Sequence, residues 1–219
     1  YLLRAIAGLD TALWDLKGKL KKLPVVSLIG GNPGFLKIYG SSMKRDIQPY
    51  DEAKRFKTLQ DEKGVSAFKF RIGSECGRGK DEWEGRTEEI VRLINKELDI
   101  STSKLVDANS CYSSEQAIEI GKLLIDNNIT HFEEPCPYWV PEETKKVTEA
   151  LEIDVTGGEQ DCDFRIWKDM IDRKIVNIFQ PDVMYMGGLT RILKLANMIN
   201  KSGFTCTPHA ANLSLVTVC

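Results

Sequence analysis

Seven short apolar segments recur along the chain, each separated from the next by a longer amphipathic stretch. Short runs rich in β-branched and aromatic residues predict strands, and the stretches between them predict helices, with a capping box at Ser113 and Gln116 and a first-turn proline at Pro141. Regular alternation of strand and helix is typical of an α/β fold with a parallel sheet and right-handed crossovers. The predicted strands are residues 35–40, 66–73, 103–109, 130–135, 153–159, 175–182 and 204–209.

The spacing of acidic residues favours a TIM-type (β/α) barrel over an open doubly wound sheet. Asp107, Glu133 and Glu159 follow one another at equal intervals of 26 residues, so an acid recurs at one level of successive strand–helix units. Only a barrel brings neighbouring strand ends to one mouth. An open nucleotide-binding sheet is the weaker alternative, because no strand precedes a GxGxxG or Walker motif. Since a barrel needs eight strands, we expect the last to lie outside this sequence.

The composition excludes several classes of partner. The 219 residues include 30 basic and 32 acidic side chains, so the chain has no basic excess of the kind that binds nucleic acid or a membrane surface. No apolar run approaches the roughly 20 residues of a transmembrane helix. The six cysteines form no CxxC pair, which predicts reduced thiols and a cytoplasmic location. The first residue is not methionine, so we expect a fragment of a longer protein.

Three of the acids at predicted strand ends form a candidate metal site. Asp107, Glu133 and Glu159 would repel one another at a shared barrel mouth unless a cation lies among them. An all-oxygen ligand set suits Mg²⁺. Taken alone, each of these acids would be interpreted as a solvated carboxylate at a strand end or as a salt-bridge partner. Glu134 points to the other side of its strand, and we predict a structural role for it.

His209 and Asp182 end the last two predicted strands and form a candidate general base. A carboxylate beside an imidazole fixes the tautomer and raises its basicity. His131 lies two residues before Glu133, nearer the barrel floor, and its predicted role is structural.

Two basic residues share one face of the second predicted strand. Lys69 and Arg71 lie within the apolar segment AFKFRI, which is not the pattern of a solvated face. We predict that they bind a substrate carboxylate or an enolate oxygen. Asn109 shares a face with Asp107 and is a candidate substrate ligand.

Taken together, these motifs resemble the mandelate racemase and muconate lactonizing branch of the enolase superfamily. The resemblance covers nearly the whole chain: AIAGLDTALWDLKGK with LPVVSLIGG, then KFR, VDAN, FEEP, GGE, QPD with MGGLTR, and PHAAN. It implies the last helix of an α+β capping domain and its connector over residues 1–33, followed by a catalytic barrel over 34–219 that is truncated at its C-terminus. It also implies Mg²⁺ as cofactor, the same three ligands, the His209–Asp182 dyad and a homo-oligomer.

The resemblance further implies removal of the proton adjacent to a substrate carboxylate, with stabilisation of the resulting enediolate. Racemases of this family generally use a second base at the position of Arg71, where arginine is a poor base. One competent base favours dehydration of an acid sugar, an aldonate or aldarate, to a 2-keto-3-deoxy acid. The alternatives are a racemase or epimerase of a 2-hydroxy acid with Lys69 as second base, and a non-catalytic metal-binding barrel. Asn109 and Asn212 are available to bind substrate hydroxyls.

Overall fold

The computed structural model describes residues 2–76 and 78–210. Their strands lie side by side in a parallel sheet in the order β1 to β7, and helices connect them. In chain order the elements are α1 (Leu2–Lys21), α2 (Val25–Leu28), β1 (Gly40–Ser41), α3 (Pro49–Lys63), β2 (Ala67–Arg71), α4 (Arg86–Glu97), β3 (Ser103–Asp107), α5 (Ser114–Asp126), β4 (His131–Glu133), α6 (Pro141–Ala150), β5 (Asp154–Gly157), α7 (Phe164–Arg173), β6 (Ile178–Phe179), α8 (Leu189–Lys201) and β7 (Thr205–Cys206).

The first predicted strand is largely wrong, whereas the other six overlap observed strands. The apolar run 35–40 contributes only Gly40 to β1, and the side chains of Phe35, Leu36 and Ile38 are exposed. Among the described strands, β1 pairs only with β2, over two residue pairs. An apolar run indicates a strand by composition, but a strand forms only where a neighbour supplies hydrogen bonds. The capping box of Ser113 with Gln116 and the first-turn position of Pro141 are confirmed.

The chain forms two compact units, and the first comprises residues Lys37–Thr156 and Ile175–Asn177. Strands β2, β3 and β4 pair in register, so that Arg71, Asp107 and Glu133 lie side by side at one level. Side chains alternate along a strand, so these three share one face. The opposite face packs against the helices through fully buried aromatic rings, of which Phe68 stacks on Phe56 with centroids 4.5 Å apart.

The second unit comprises Tyr1–Leu36, Gly157–Lys174 and Ile178–Cys219, of which residues 2–36, 157–174 and 178–210 are described. Its core includes the fully buried Trp167, whose ring lies 6.2 Å from that of Phe179. Five of the six cysteines are free, as predicted: Cys76, Cys111, Cys136, Cys162 and Cys206; Cys219 lies outside the described residues. Within the described part of the chain, no helix has the length and apolar character needed to cross a membrane.

Helix α1 packs on α8 through polar contacts of one helix face. The Asp10 carboxylate accepts a hydrogen bond of 3.0 Å from the backbone N–H of Thr190, in the first turn of α8, and Trp14 Nε1 donates to Thr190 Oγ1 at 2.9 Å. Asp10 thus caps α8 from another helix, because the first N–H groups of a helix lack intrahelical partners. By contrast, five apolar side chains spaced about one turn apart along α1 are exposed: Leu2, Ile6, Leu9, Leu13 and Leu16.

Replacing Asp10 with alanine should lower the free energy of unfolding by about 1 kcal/mol, the usual effect of losing a helix cap. Urea unfolding of both proteins would measure the change. Asp15→Ala is the matched control, because Asp15 lies on the same helix and, among the residues that the structure describes, pairs only with the exposed Lys19. An exposed ion pair of this kind contributes little to stability. Equal losses in the two variants would contradict the capping role.

Candidate active site

The end of the sheet in the first unit carries two buried carboxylates at one level. Asp107 and Glu133 are register partners on β3 and β4, at one level of successive strands as predicted, and each is less than 5% exposed. The register partner of Glu133 on β5 is Thr156, so the expectation that Glu159 follows at the same strand position is wrong. Glu159 lies two residues beyond the end of β5. Equal sequence intervals do not fix strand register, because the connecting segments differ in length.

Lys69 and Arg71 hold the two buried carboxylates in a compact ion-pair network. Lys69 Nζ donates to Glu133 Oε2 at 2.6 Å and lies 3.8 Å from Asp107 Oδ2, while Arg71 pairs directly with Asp107. Each side chain is almost fully buried, so the charges stabilise one another where water is excluded. The structure therefore brings together four of the predicted site residues, with both cations directed at the acids.

Asn109 joins this network just beyond the end of β3. Its backbone N–H donates to Asp107 Oδ1 at 2.8 Å, and its side-chain oxygen accepts a hydrogen bond from Arg71 Nη1 at 2.7 Å. Asn109, Ser110 and Glu134 all have φ between 41° and 61°, a left-handed conformation that is uncommon outside glycine. Such conformations cluster where surrounding contacts over-determine the backbone, as in binding and catalytic sites.

Arg45 is a site neighbour that the sequence analysis missed. It follows β1, and its Nη2 donates to Asn109 Oδ1 at 2.6 Å, the same oxygen that Arg71 contacts. The only signal in the sequence was a basic residue shortly after the first predicted strand. Because the first strand was predicted too far toward the N-terminus, Arg45 lay in a predicted loop that carried no motif.

In the second unit, His209 lies between two carboxylates. Its Nδ1 is 2.8 Å from Asp182 Oδ2, and its Nε2 is 3.0 Å from Glu159 Oε2. A parallel β-bridge joins Asp182 to His209, and the backbone N–H of Tyr185 donates to Asp182 Oδ1 at 2.9 Å. These contacts fix the Asp182 carboxylate, and with it the orientation of the imidazole. The contact with Glu159 was not foreseen.

The two carboxylates also set the protonation of the imidazole. Burial lowers the pKa of His209, but hydrogen bonds and charge from Asp182 and Glu159 outweigh burial and raise the pKa to about 9. Asp182 is hydrogen-bonded to Nδ1, so proton exchange with a substrate falls to Nε2, which in this structure contacts Glu159. A carboxylate that also binds a cation raises the pKa of a neighbouring imidazole less, because the cation neutralises part of the negative charge.

His131, the other histidine, is placed differently. It lies at the start of β4, as the register partner of Leu105, and its Nδ1 is 2.8 Å from Thr130 Oγ1. Burial lowers the pKa of His131. This environment agrees with the predicted structural role.

Gly158 precedes Glu159 and permits a tight packing arrangement. Its φ is +109°, and a Cβ there would overlap the buried Trp167 ring. We expect Gly158→Ala to destabilise the fold by at least about 3 kcal/mol, since left-handed strain and overpacking add. Gly64→Ala is the control: Gly64 has φ +67° but nothing within 4 Å of the added Cβ, so about 1 kcal/mol is expected. Urea unfolding measures both, and equal losses would exclude the steric contribution of Trp167.

The donor chemistry at β3 and β4 fits a hard divalent cation. Asp107 and Glu133 provide buried carboxylate oxygens on adjacent strands, which Mg²⁺ prefers over nitrogen or sulfur ligands. Within residues 2–76 and 78–210, no three His, Cys, Asp or Glu side chains are grouped to hold a metal ion. Glu159 therefore stays a predicted third ligand, and the residues that fit a cation by position are Asp107 and Glu133.

Two family models match this chain, one over most of its length and one at its N-terminus. Residues 51–219 match the model described as enolase C-terminal domain-like. The chain belongs to the enolase superfamily. Residues 1–30 match the N-terminal domain of mandelate racemase and muconate lactonizing enzyme, which places the chain in that branch of the superfamily. The fold of the larger match is a TIM-type barrel.

Two curated relatives of this enolase-superfamily chain are acid-sugar dehydratases. Arabinonate dehydratase of Saccharolobus solfataricus is 31% identical over 96% of the chain, and L-talarate/galactarate dehydratase of Salmonella typhimurium is 28% identical over 95%. The chain spans 56% and 50% of their lengths, so it is similar to about half of each protein.

Solved structures of the superfamily share the fold closely. A Roseobacter denitrificans protein provisionally named a racemase is 55% identical over the whole chain and 60% of its own length, with a TM-score of 0.98. An enolase from Bradyrhizobium, complexed with magnesium and mandelic acid, is 26% identical over 95% of this chain and 55% of its own, with a TM-score of 0.85.

Proposed function

We propose that the protein removes the proton α to a substrate carboxylate in an Mg²⁺-dependent reaction and dehydrates an acid sugar to a 2-keto-3-deoxy acid. The observation that carries the proposal is the His209–Asp182 hydrogen bond of 2.8 Å at the ends of adjacent strands, the arrangement of an oriented general base. The names of both curated relatives, which are acid-sugar dehydratases, support the substrate class.

The residues divide the reaction between them. Asp107, Glu133 and Glu159 would hold the Mg²⁺, which would act as a Lewis acid toward the substrate carboxylate. Lys69 donates hydrogen bonds to the substrate carboxylate oxygens as negative charge develops there, while Arg71 pairs with Asp107 and holds it in place. Asn109, with Lys69 and Arg71, binds the substrate.

His209 carries the proton in both steps. Nε2 takes the α-proton, and the C–H electron pair enters the enediolate. The imidazolium then returns the proton to the departing β-hydroxyl, which leaves as water as the C–O bond breaks. The resulting enol tautomerises to the 2-keto-3-deoxy acid. Asp182 holds Nδ1–H throughout and stabilises the imidazolium.

The position of Arg71 supports elimination over racemisation. A racemase needs a base on each face of the substrate carbon, and an arginine guanidinium, which stays protonated throughout the physiological pH range, does not supply one. The alternative, a racemase or epimerase of a 2-hydroxy acid, would use Lys69 as the second base. Lys69 Nζ is engaged by Glu133 at 2.6 Å and lies 3.8 Å from Asp107, so it would have to leave these carboxylates to act as a base. The racemase name of the Roseobacter structure keeps this alternative open.

A screen of aldonates and aldarates with Mg²⁺, measuring 2-keto acid, tests the proposal. We expect turnover of at least one substrate, its loss on chelation with EDTA, and recovery with added Mg²⁺. Exchange of the α-proton for solvent deuterium without 2-keto acid formation would instead identify the racemase or epimerase. Mg²⁺ binding without either reaction would identify a non-catalytic metal-binding barrel. The cytoplasmic location and homo-oligomeric assembly stay predictions.

A further inference from the structure

The loop that follows β1 brings a third basic side chain to the network of Lys69 and Arg71. Arg45 Nε donates to the carbonyl oxygen of Gly73 at 3.1 Å, and Nη2 donates to Asn109 Oδ1 at 2.6 Å. Arg71 Nη1 donates to that same Asn109 oxygen at 2.7 Å. Both guanidinium groups therefore lie within hydrogen-bond distance of one point.

Arg45 differs from its two basic neighbours in that no carboxylate of the described residues forms an ion pair with it. Lys69 and Arg71 each pair with a buried carboxylate, whereas Arg45 has no carboxylate within ion-pair distance among the described residues. Burial lowers the pKa of Arg45, and the more distant charges of Glu75 and Glu82 raise it in part. An arginine has five N–H donors, so three remain for a ligand. A half-buried guanidinium without a carboxylate at ion-pair distance favours an anion.

The backbone around Arg45 is fixed before any ligand arrives. The backbone N–H of Ser42 donates to the carbonyl of Lys69 at 2.8 Å, and Ser42 Oγ accepts a hydrogen bond from Arg55 Nη2 at 2.8 Å. Gly73 has φ +60°, and a Cβ there would lie 2.7 Å from Cys111 Sγ. A cation held in place by neutral oxygens loses little conformational entropy on binding.

We propose that Arg45, fixed beside Arg71 by their common acceptor Asn109, binds a second carboxylate of the substrate, so that the enzyme selects aldarates over aldonates. This inference rests on the proposed function, in which the first carboxylate is bound by the metal and Lys69. The planar fork of the guanidinium matches a carboxylate in two parallel hydrogen bonds. A terminal hydroxymethyl group, the aldonate counterpart, offers no charge to compensate Arg45.

The test compares binding of xylarate, a diacid, with binding of xylonate, the monoacid of equal carbon number. Calorimetry is performed with Mg²⁺ on the full-length protein carrying His209→Asn, so that neither ligand turns over. We expect xylarate to bind about 10- to 100-fold more tightly, the range for a charge-assisted hydrogen bond. Adding Arg45→Gln should remove this preference by weakening xylarate alone. Arg92→Gln, at an exposed arginine paired with Glu88, should leave the preference intact.

Three results would overturn the inference: equal affinities in the His209→Asn protein, an unchanged preference after Arg45→Gln, or equal weakening of both ligands, which would mean that Arg45 only positions Asn109. Arg45→Lys keeps the charge without the fork and should retain part of the preference, which guards against misfolding of the glutamine variant. Absence of turnover in the wild-type protein with the binding preference intact would refute the dehydratase assignment and leave the Arg45 site standing.

Discussion

Replacing His209 with asparagine should lower kcat by about 10³-fold, with substrate binding largely retained. General acid–base groups typically contribute 10²- to 10⁴-fold, and His209 is assigned both proton transfers. Asparagine keeps a polar group near Asp182, whose carboxylate is also held by the Tyr185 N–H, so the fold should persist. Steady-state formation of 2-keto acid with the best substrate of the screen measures kcat, and thermal unfolding verifies the fold.

The matched control for this variant is His131→Asn. His131 is the only other histidine of the sequence, and within residues 2–76 and 78–210 its ring hydrogen-bonds to Thr130 and forms no ion pair with a carboxylate. We expect its kcat to stay within about 3-fold of wild type, since it takes no part in proton transfer. Full activity of His209→Asn, or an equal loss in the two variants, would remove His209 from the reaction.

Replacing Lys69 with methionine should lower kcat by about 10²- to 10³-fold, the usual effect of removing one donor to a developing negative charge. Lys69 Nζ lies 2.6 Å from Glu133 and 3.8 Å from Asp107, so the variant also leaves Glu133 with less compensating charge. Stability should fall as well, because a buried carboxylate has lost a partner. Single-turnover kinetics at saturating substrate would isolate the chemical step from binding.

Lys104→Met separates the catalytic contribution of Lys69 from the general effect of a buried lysine. Lys104 is fully buried on β3, next to β2, but its Nζ donates to Asn95 Oδ1 at 3.2 Å and meets no carboxylate in the described part of the chain. Burial lowers the pKa of Lys104. The variant should keep wild-type kcat. A comparable loss of kcat in Lys104→Met would show that the Lys69 result reflects core disruption.

Most of the strands and helices could be predicted from local patterns in the sequence. Alternating apolar and amphipathic segments predicted six of the seven strands and the helices between them, because each pattern has its own period. The capping box at Ser113 worked for the same reason, since a cap acts within one turn. The pairing of Asp107 with Glu133 also followed, because both end strands of a parallel ladder.

What the sequence did not reveal depends on register and on long-range packing. Thr156, not Glu159, is the strand partner of Glu133, because register is set by hydrogen bonds between strands and not by intervals along the chain. Arg45 reaches Asn109 across 64 residues, a contact without a local signature. The helix that the resemblance implied at the N-terminus is present as α1, yet the apolar side chains spaced one turn apart along it are exposed, and the polar Asp10 makes the contact with α8.

The Asp10 contact has a consequence for exchanging parts between members of the superfamily. A boundary drawn by motif at residue 33 would assign α1 to one module and α8 to another, yet both belong to one compact unit that extends to Leu36. A chimera that takes its N-terminal helix from another family member, with no acid at position 10, would leave the Thr190 N–H in the first turn of α8 without an acceptor. Successful grafts should therefore carry the aspartate along with Trp14, its neighbour one turn later.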